Sequence, residues 1–565
     1  MNFRQFEVNL KDLIKRCAEA LAREGLAANP FESEAFPKIE LEAPKDKSHG
    51  DIATNVALRC CKIVKKAPME YATLLANEIE RKICHSPLKA ELEKVEAKQP
   101  GFINFWFSED RLFKTLEYIA KKKMRYGALD LGRKKSVNIE FVSANPTGPL
   151  TIAHGRQAAF GDTLANILKF AGYRVIREYY LNDEGNQMYL LAKSIRARYL
   201  ELFGLPFEFP ENGYKGSYII DIAGDIKSKY GARFTKREAL EFFVDFGCKR
   251  IVDNIKTDLK CFNVNFDVWY SQKRLNSSGK IRNTLNFLSQ KKMVYEKDGA
   301  TWFKSSQFGD DKDRVIIKSS GEYTYLAPDI AYHMYKFKRG FTDLIDIWGP
   351  DHHGYIARIK AAVKALGYQE NSLQTLIVQL STLYKEGKAV QMSTRAGEFI
   401  TLHDLIKEVG KDVARFFFLR RKRDSHLDFD LALAKKHSMD NPVYYIQYAH
   451  ARISSILKYR EEKKRGWNRI SLNRKYLKGQ DELNIVKLLG RFPLVIELCV
   501  RKLEVFPLIS YLEEVAAAFH SYYDKYRIVA SDAHLTESRI FLSVAIRTVL
   551  TNGLKLLGVA SPKTM

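Results

Sequence analysis

The sequence predicts an α/β fold in which a doubly wound parallel sheet forms the largest domain. A buried strand, a Pro/Gly turn and a helix follow one another between Ser136 and Asp162, which is how such a sheet opens. A smaller α/β pattern precedes this stretch, and from about Leu402 onward the periodicity is nearly all helical. The chain has 565 residues, which is long enough for these parts to fold as separate domains.

Residues 1–120 form the first predicted domain, a small α/β module. A helical pattern runs from Phe6 to Arg23, and a Pro-Gly turn leads into an aromatic strand that contains Asn104 and Trp106. An aromatic strand can stack an unpaired nucleic-acid base, but it can equally be a core strand. The basic stretch after this module has the composition of a linker.

The second predicted domain, residues 130–437, begins with the stretch that organises the chain. Val137, Ile139 and Phe141 alternate as in a buried strand, and the turn that starts at Asn145 leads into a helical pattern. A helix that starts there offers unpaired N–H groups and a partial positive charge to a phosphate. His154 lies in its first turn, where an imidazole can reach a polyphosphate. The alternative is an ordinary βα turn with an exposed histidine.

The rest of this domain continues the α/β alternation around a helical insertion at about 190–265. A second strand follows the first helix, and an apolar strand that starts at Asp343 ends at Gly349. Asp329 begins a helix directly after Pro328, a position that helix capping alone would explain. Residues 438–565 have helical periodicity and form the third predicted domain.

Composition limits the function classes. The net charge is +25, which indicates a polyanionic partner unless it reflects a basic proteome. The seven cysteines include no C-x-x-C pair, which argues for reduced thiols in a cytoplasmic protein and against a structural zinc. The run Asp351, His352, His353 has poor ligand spacing, so we expect no metal site. No uninterrupted apolar stretch of about 18 residues is present, so we expect no membrane span.

The motif regions resemble a known family. The stretch from Asn145 to His154 resembles the first signature of class I aminoacyl-tRNA synthetases, and its flanks are similar to arginyl-tRNA synthetases in particular. Further similarity to that family is found at residues 49–55, 101–104, 177–183, 440–451, 519–523 and 557–562. The resemblance therefore covers nearly the whole chain.

This resemblance implies a function for each domain. The second domain would be a Rossmann-type nucleotide-binding catalytic domain, the N-terminal α/β domain would contact tRNA, and the all-α C-terminal domain would bind the anticodon. The implied enzyme is an arginine–tRNA ligase. It activates L-arginine with ATP, accompanied by Mg²⁺, and transfers the arginyl group to the 3′ end of tRNA(Arg). We expect a monomer.

The resemblance also implies functional residues. The implied catalytic residues are His154, Ser393 and Arg395. The implied ATP-binding residues are Pro146, Thr147, Thr151, Ala153, His154, Gly349, His352, Met392 and Ser393. The implied arginine-binding residues are Glu140, Asn145, Tyr325, Asp329 and Asp351, because a guanidinium requires a carboxylate partner. The candidate tRNA-binding residues are Asn104, Trp106 and the basic run Lys463, Lys464 and Arg465, which could also be a solvated helix end.

The chain departs from the family pattern at five positions. Thr151 and Ala153 replace a histidine and a glycine of the first signature, Gln391 and Thr394 replace both lysines of the second, and Gln272 replaces a glutamate. Two alternatives therefore stay open. One is a small-molecule adenylyltransferase with the same nucleotide fold, and the other is a tRNA-binding paralogue that has lost activation.

Overall fold

The computed structural model describes residues 3–28, 30, 39–42, 44, 46–385, 388–389, 400–463 and 472–565. Its elements form three consecutive groups: a small α/β group, a large group built on a parallel sheet, and a helical group. This arrangement agrees with the predicted fold class.

The first group is an antiparallel sheet covered by helices. It contains α1 (Phe3–Arg23), β1 (Ile52–Thr54), α2 (Val56–Val64), α3 (Pro68–Ile83), β2 (Leu92–Lys98), β3 (Phe102–Phe107) and α4 (Glu109–Lys122). The predicted aromatic strand is β3, which lies between β1 and β2. Its residues Ile103, Phe105 and Phe107 are buried, so most of the aromatic run forms core.

The second group contains the largest sheet and most of the loops. It begins with β4 (Ser136–Glu140), α5 (Ile152–Phe170), β5 (Arg174–Leu181), α6 (Asn186–Glu201), α7 (Ser217–Tyr230), α8 (Leu240–Cys261) and β6 (Val268–Ser271). It continues with α9 (Gln272–Ser277), α10 (Lys280–Gln290), β7 (Val294–Lys297), β8 (Ala300–Phe303), β9 (Arg314–Ile317), α11 (Leu326–Lys338), β10 (Asp343–Trp348) and α12 (Ile356–Ala365). It ends with β11 (Leu373–Ile377), β12 (Ser381–Lys385), β13 (Lys388–Ala389), α13 (Leu402–Val409), α14 (Lys411–Leu419), β14 (Leu427–Asp430) and α15 (Leu431–Ala434).

The central sheet has five parallel strands in the order β11-β10-β4-β5-β6. Ile139 of β4 lies opposite Ile345 of β10 on one side and Arg177 of β5 on the other. The chain winds outward in opposite directions from β4 and β10, so a crevice forms at the carboxyl ends of these two neighbours. Helices α6 to α8 separate β5 from β6, in the region predicted as an insertion.

The third group consists of helices that pack against both other groups. They are α16 (Pro442–Lys463), α17 (Gln480–Gly490), α18 (Phe492–Lys502), α19 (Phe506–Lys525) and α20 (Ala533–Leu557). The Tyr126 hydroxyl donates to the Leu489 carbonyl at 2.9 Å, and Lys487 pairs with Asp51 at 2.8 Å. Of the helices that the structure describes, α20 alone has the length and hydropathy of a membrane span, and 67% of its most apolar window is buried.

Candidate active site

The crevice is bounded by the turns that follow β4 and β10 and by the start of α5. The turn after β4 holds Asn145, Pro146 and Thr147, and the turn after β10 runs from Gly349 to Tyr355. Both turns leave the carboxyl edge of the sheet, where ligands bind in this fold class. Most of the predicted ATP-binding and arginine-binding residues therefore lie around one crevice.

His154 lies in the first turn of α5 and is hydrogen-bonded to the residue that caps the helix. The backbone N–H of Thr151 donates to His154 Nδ1 at 3.1 Å. Burial lowers the pKa of His154 to about 4, and the nearby Asp351 carboxylate opposes that shift. The imidazole is therefore neutral near pH 7 and, because Nδ1 accepts, its proton is on Nε2. No acceptor for Nε2 is found among the described residues, so this donor remains available for a ligand.

The turn after β4 is held by the insertion helices. Tyr218 of α7 donates its hydroxyl to the Thr147 carbonyl at 2.8 Å, and Asn145 Nδ2 donates to Gln187 Oε1 of α6 at 2.8 Å. Pro146 is buried, Thr147 is half-buried and Asn145 is exposed. The insertion thus supports the predicted ATP-binding turn directly.

The turn after β10 lies against α5 at Gly349. A Cβ at Gly349 would lie 2.5 Å from Asp351 Oδ1 and 3.4 Å from the Gln157 amide nitrogen of α5. Asp351 and His352 are exposed, and His352 Nε2 lies 3.3 Å from the Asp351 carboxylate. The predicted residues Gly349, His352 and Asp351 therefore lie at the mouth of the crevice.

Asp329 lies in the first turn of α11 and is half-buried beside the crevice. Its Oδ2 accepts a hydrogen bond of 2.6 Å from the hydroxyl of Tyr355. Burial raises the pKa of Asp329 to about 6. The predicted partner, Tyr325, is the residue that precedes the helix and is 83% exposed. Tyr325 would share a helical face with Asp329 if the helix extended back to it, whereas α11 begins at Leu326 and Tyr325 is its N-cap.

Glu140 ends β4 in a network of buried charges. Its Oε2 accepts from Lys336 Nζ at 2.6 Å, and its Oε1 accepts from the Ser143 hydroxyl at 3.1 Å. Lys336 also donates to Asp346 Oδ1 at 2.8 Å, and His333 Nε2 lies 2.7 Å from Asp346 Oδ2. The cations lower the pKa of Asp346, although its burial alone would raise it. Both oxygens of Glu140 therefore already have protein partners.

The polar side of α11 is a signal that sequence reasoning missed. Asp329, His333 and Lys336 are spaced by four and three residues, which places them on one face of the helix. That spacing within an otherwise apolar helix predicts a polar network against the sheet. Tyr355 gives no comparable signal, because its contact with Asp329 depends on the path of the turn after β10.

Several predicted residues lie outside the described part of the chain or away from solvent. Met392, Ser393 and Arg395, together with Gln391 and Thr394, are outside the described residues, as are Lys464, Arg465 and the side chain of Lys463. Asn104 is 2% exposed in the middle strand of the first group, so contact with RNA would require the surrounding strands to move. Trp106 is half-buried, and Lys94 Nζ lies 4.9 Å from the centre of its ring.

A groove of about 880 Å³ on the third group has the composition of an RNA-binding surface. Its lining includes Tyr448, Arg452, Tyr523, Tyr526 and the C-terminal Met565, and the Arg452 guanidinium lies 4.0 Å from the centre of the Tyr523 ring. Arg452 also donates to the Tyr448 hydroxyl at 3.0 Å. The rings of these half-buried tyrosines can stack on bases, and the guanidinium can contact phosphate.

The comparisons with known proteins cover the full length of the chain. Residues 9–107 match the family described as Arginyl tRNA synthetase N terminal domain, and residues 115–432 match tRNA synthetases class I (R), catalytic domain. Residues 446–565 match the DALR anticodon binding domain. An arginine–tRNA ligase of Desulfosudis oleivorans is 45% identical over 563 residues, covering 98% of this chain and 100% of the relative.

Another relative supports the same assignment. The arginine–tRNA ligase of Geobacillus kaustophilus is 43% identical over 565 residues and is covered to 99%, as is this chain. The chain belongs to the arginyl-tRNA synthetase family. The solved Thermus thermophilus arginyl-tRNA synthetase has the same fold, with a TM-score of 0.75 at 21% identity over 98% of this chain and 99% of that one.

Membership of the arginyl-tRNA synthetase family confirms the predicted fold class and the predicted family. It also argues against the adenylyltransferase alternative, because a small-molecule enzyme does not need the N-terminal and anticodon-binding domains that this chain matches. Within the described residues, no three His, Cys, Asp or Glu side chains are close enough to hold a metal ion.

Proposed function

We propose that this protein catalyses arginine–tRNA ligation: it activates L-arginine with ATP and Mg²⁺ and transfers the arginyl group to the 3′ end of tRNA(Arg). The observation that carries the proposal is the half-buried Asp329 carboxylate beside a nucleotide crevice, in a chain that matches arginine–tRNA ligases over nearly its full length. We further propose that it acts as a monomer in the cytoplasm. Seven free cysteines, three of them buried, support that compartment.

The arginine site that we propose is centred on Asp329. A guanidinium is always charged and donates in a planar fork, so it needs a carboxylate acceptor in a partly buried site. Oδ2 of Asp329 is occupied by Tyr355, and Oδ1 is left for the substrate. Glu140, held by Lys336, contributes negative charge to the wall behind it. Asn145 and Asp351, at the crevice mouth, are placed to bind the α-amino and carboxylate end.

The ATP site that we propose lies at the start of α5. In this proposal the N–H groups of this first turn and the Nε2 donor of His154 bind the charge that develops on the α-phosphate and the departing pyrophosphate. Pro146, Thr147, Thr151 and Ala153 line the approach from one side, and Gly349 and His352 line it from the other. The contribution of the second signature, Met392, Ser393 and Arg395, remains a proposal from the family resemblance.

We propose three tRNA-contacting regions. The groove around Arg452 and Tyr523 would bind the anticodon end, because it combines stacking surfaces with a cation in the domain that matches anticodon-binding proteins. Trp106 in the N-terminal group, with Lys94 over its ring, is the second candidate. The basic run at 463–465 remains a proposed contact on charge alone.

The proposal is tested by replacing Asp329. Asp329→Ala should raise the KM for arginine by about 10²-fold or more, because removing one partner of a desolvated ion pair costs about 3–5 kcal/mol. The KM for ATP and the affinity for tRNA should stay near those of the parent. Arginylation of purified tRNA and tRNA-dependent ATP–pyrophosphate exchange provide these values.

Asp343→Ala is the matched control, since Asp343 lies at the opposite, amino end of β10. It should leave the arginine KM unchanged. An unchanged KM in Asp329→Ala would show that this carboxylate does not bind the substrate guanidinium. Absence of arginine-dependent exchange and charging in the parent, even with tRNA present, would replace the proposal with the tRNA-binding paralogue.

A further inference from the structure

Tyr355 connects the turn after β10 to the carboxylate that we propose as the arginine-binding group. It ends the turn that starts at Pro350 and precedes α12, and its hydroxyl donates to Asp329 Oδ2 at 2.6 Å. Among the described residues no other donor to this carboxylate is found, and Oδ1 accepts none. The Tyr355 ring is half-buried, with the Trp348 ring centre at 6.2 Å and the Arg358 guanidinium at 5.5 Å.

The groups that face Asp329 come from every element packed around it. Glu140 on β4 and Asp346 on β10 are acidic, and they add to the effect of burial by raising the pKa of Asp329. His333 on α11 opposes them, and Tyr180 on β5 lies close by. Lys336 of α11 is committed to Glu140 and Asp346. The hydrogen bond from Tyr355 is therefore the direct contact that favours the ionised carboxylate.

We propose that Tyr355 is a positioning residue for arginine: by holding Oδ2 of Asp329 it presents Oδ1 to the substrate guanidinium. The inference rests on the proposed arginine site. A carboxylate with one oxygen held has a fixed lone-pair direction, and a planar guanidinium benefits from that direction more than a rotating ammonium does. The same hydrogen bond keeps Asp329 ionised at a pH where its acidic surroundings favour the neutral form.

The proposal predicts how arginine affinity depends on pH. The pKa of Asp329 is about 6, so below that pH the site is increasingly protonated, and binding of the arginine cation must release the proton. Tyr355→Phe removes one oxygen and keeps the ring. Because the lost hydrogen bond had lowered the pKa of Asp329, the decline in affinity should begin at higher pH in this variant.

Isothermal titration of L-arginine into the full-length protein from about pH 5.5 to about pH 8 measures this directly. Tyr355→Phe should weaken arginine binding by about ten-fold near the acid end, the value for one hydrogen bond to a charged group, and by less than about three-fold at the alkaline end. Titrations in buffers of different ionisation enthalpy should show more protons released per arginine bound than in the parent.

Tyr199→Phe is the matched control. This variant also loses one tyrosine hydroxyl bond, the 2.6 Å bond to the Gly231 carbonyl, but within the insertion. It should reproduce the parent's pH profile. ATP affinity and thermal unfolding show whether the Tyr355 variant is folded. If it is not, Tyr355→Met, which also lacks the donor, should show the same displacement.

The outcomes separate this inference from the proposed site. A Tyr355→Phe profile that coincides with the parent's, while Asp329→Asn abolishes arginine binding, would overturn the positioning role and leave the arginine site standing. Parent-like binding in Asp329→Asn would overturn the site and the inference together. The proposal is supported if the acid-side decline in arginine affinity moves to higher pH in the Tyr355 variants and stays in place in Tyr199→Phe.

Discussion

His154 owes its chemical character to one neighbour, Thr151, and to its burial. The Thr151 N–H fixes the tautomer by donating to Nδ1, and burial holds the pKa at about 4. A neutral imidazole with its proton on Nε2 is a hydrogen-bond donor at any pH well above that value. Thr151 stands where the family signature has a histidine, and here it caps the helix that carries the one signature histidine retained.

Replacing His154 tests this donor. His154→Ala should reduce arginyl-adenylate formation by about 10²-fold or more, as the loss of a donor to developing charge does. The deficit should be the same at about pH 6 and about pH 8, because a group with a pKa near 4 does not titrate between them. ATP–pyrophosphate exchange at saturating arginine measures it. A deficit that changes between those pH values would mean that His154 titrates in the working range.

How well the sequence predicted the position of a residue depended on how local the cause of that position is. His154 was expected in a first helical turn because a strand, a turn and a helix are visible in the sequence, and α5 confirms that position. Asp329 was expected to begin a helix after Pro328, but α11 begins earlier, at Leu326, and Asp329 does not cap it. The role of Tyr325 in arginine binding stays a prediction, since Tyr325 precedes α11 and is 83% exposed. Tyr355 could not be predicted, because its hydroxyl reaches Asp329 from the turn after β10, and no local sequence pattern specifies that contact.

At the scale of elements, α5 holds together the strands on either side of the second signature. Arg156 is 1% exposed and donates to the carbonyls of Gln379 and Leu380, just before β12, and of Lys422 and Ser425, just before β14. Beyond the second signature, the Leu402 N–H donates to the Leu150 carbonyl at 2.8 Å. The helix that carries His154 thus anchors the chain before and after that segment.

The anchoring predicts a structural phenotype for Arg156. Arg156→Met removes a buried guanidinium and its four hydrogen bonds to these carbonyls, each worth about 1–3 kcal/mol, and should lower the thermal unfolding midpoint by about 5 °C or more. Arg156→Lys keeps the charge but not the planar guanidinium, so its unfolding midpoint should lie between those of the parent and Arg156→Met. Arg16→Met, on the exposed side of α1, is the control. A parent-like midpoint in Arg156→Met would show that the carbonyls find other donors.

Elements were predicted where the pattern was local and strong. Strands β4, β5 and β10 and helix α5 follow from alternation or periodicity within about ten residues. The parallel pairing of β12 with β14 joins segments more than forty residues apart, since Leu383 lies opposite Phe429. The hydrogen bonds of the Arg156 guanidinium support this pairing. No local pattern specifies that pairing. The domain limits at 120, 130, 437 and 438 stay predictions.

At the scale of the whole molecule, a single buried guanidinium joins the catalytic and helical groups. Arg415 of α14 is 0% exposed, pairs with Asp162 of α5 at 2.7 Å, and donates to the Leu557 carbonyl at the end of α20 at 2.9 Å. Gly558 follows with a φ of +71°, and a Cβ there would lie 2.5 Å from the guanidinium. The helix that carries His154 and the last helix of the third group therefore contact the same side chain.

The net charge of +25 predicts salt-dependent binding of tRNA, and the groove on the helical group predicts base stacking as well. Contacts with phosphate release counterions, so affinity for tRNA(Arg) should fall steeply with salt. Arg452→Gln should flatten the slope of log affinity against log salt by about one contact. Tyr523→Leu removes a stacking surface and should weaken binding by about 1–3 kcal/mol without changing the slope. Filter binding across a salt series gives both quantities.

Lys318→Gln controls for the loss of one positive charge, because Lys318 is an exposed cation paired with Glu322 beyond β9. If the slope for Lys318→Gln falls as far as that for Arg452→Gln, the salt dependence reports total charge, and the groove holds no particular phosphate. If Tyr523→Leu binds tRNA like the parent, no base stacks in the groove. We expect the salt slope to fall more in Arg452→Gln than in Lys318→Gln. The reason is that Arg452 lies 4.0 Å from the Tyr523 ring, close enough for one bound nucleotide to contact both side chains.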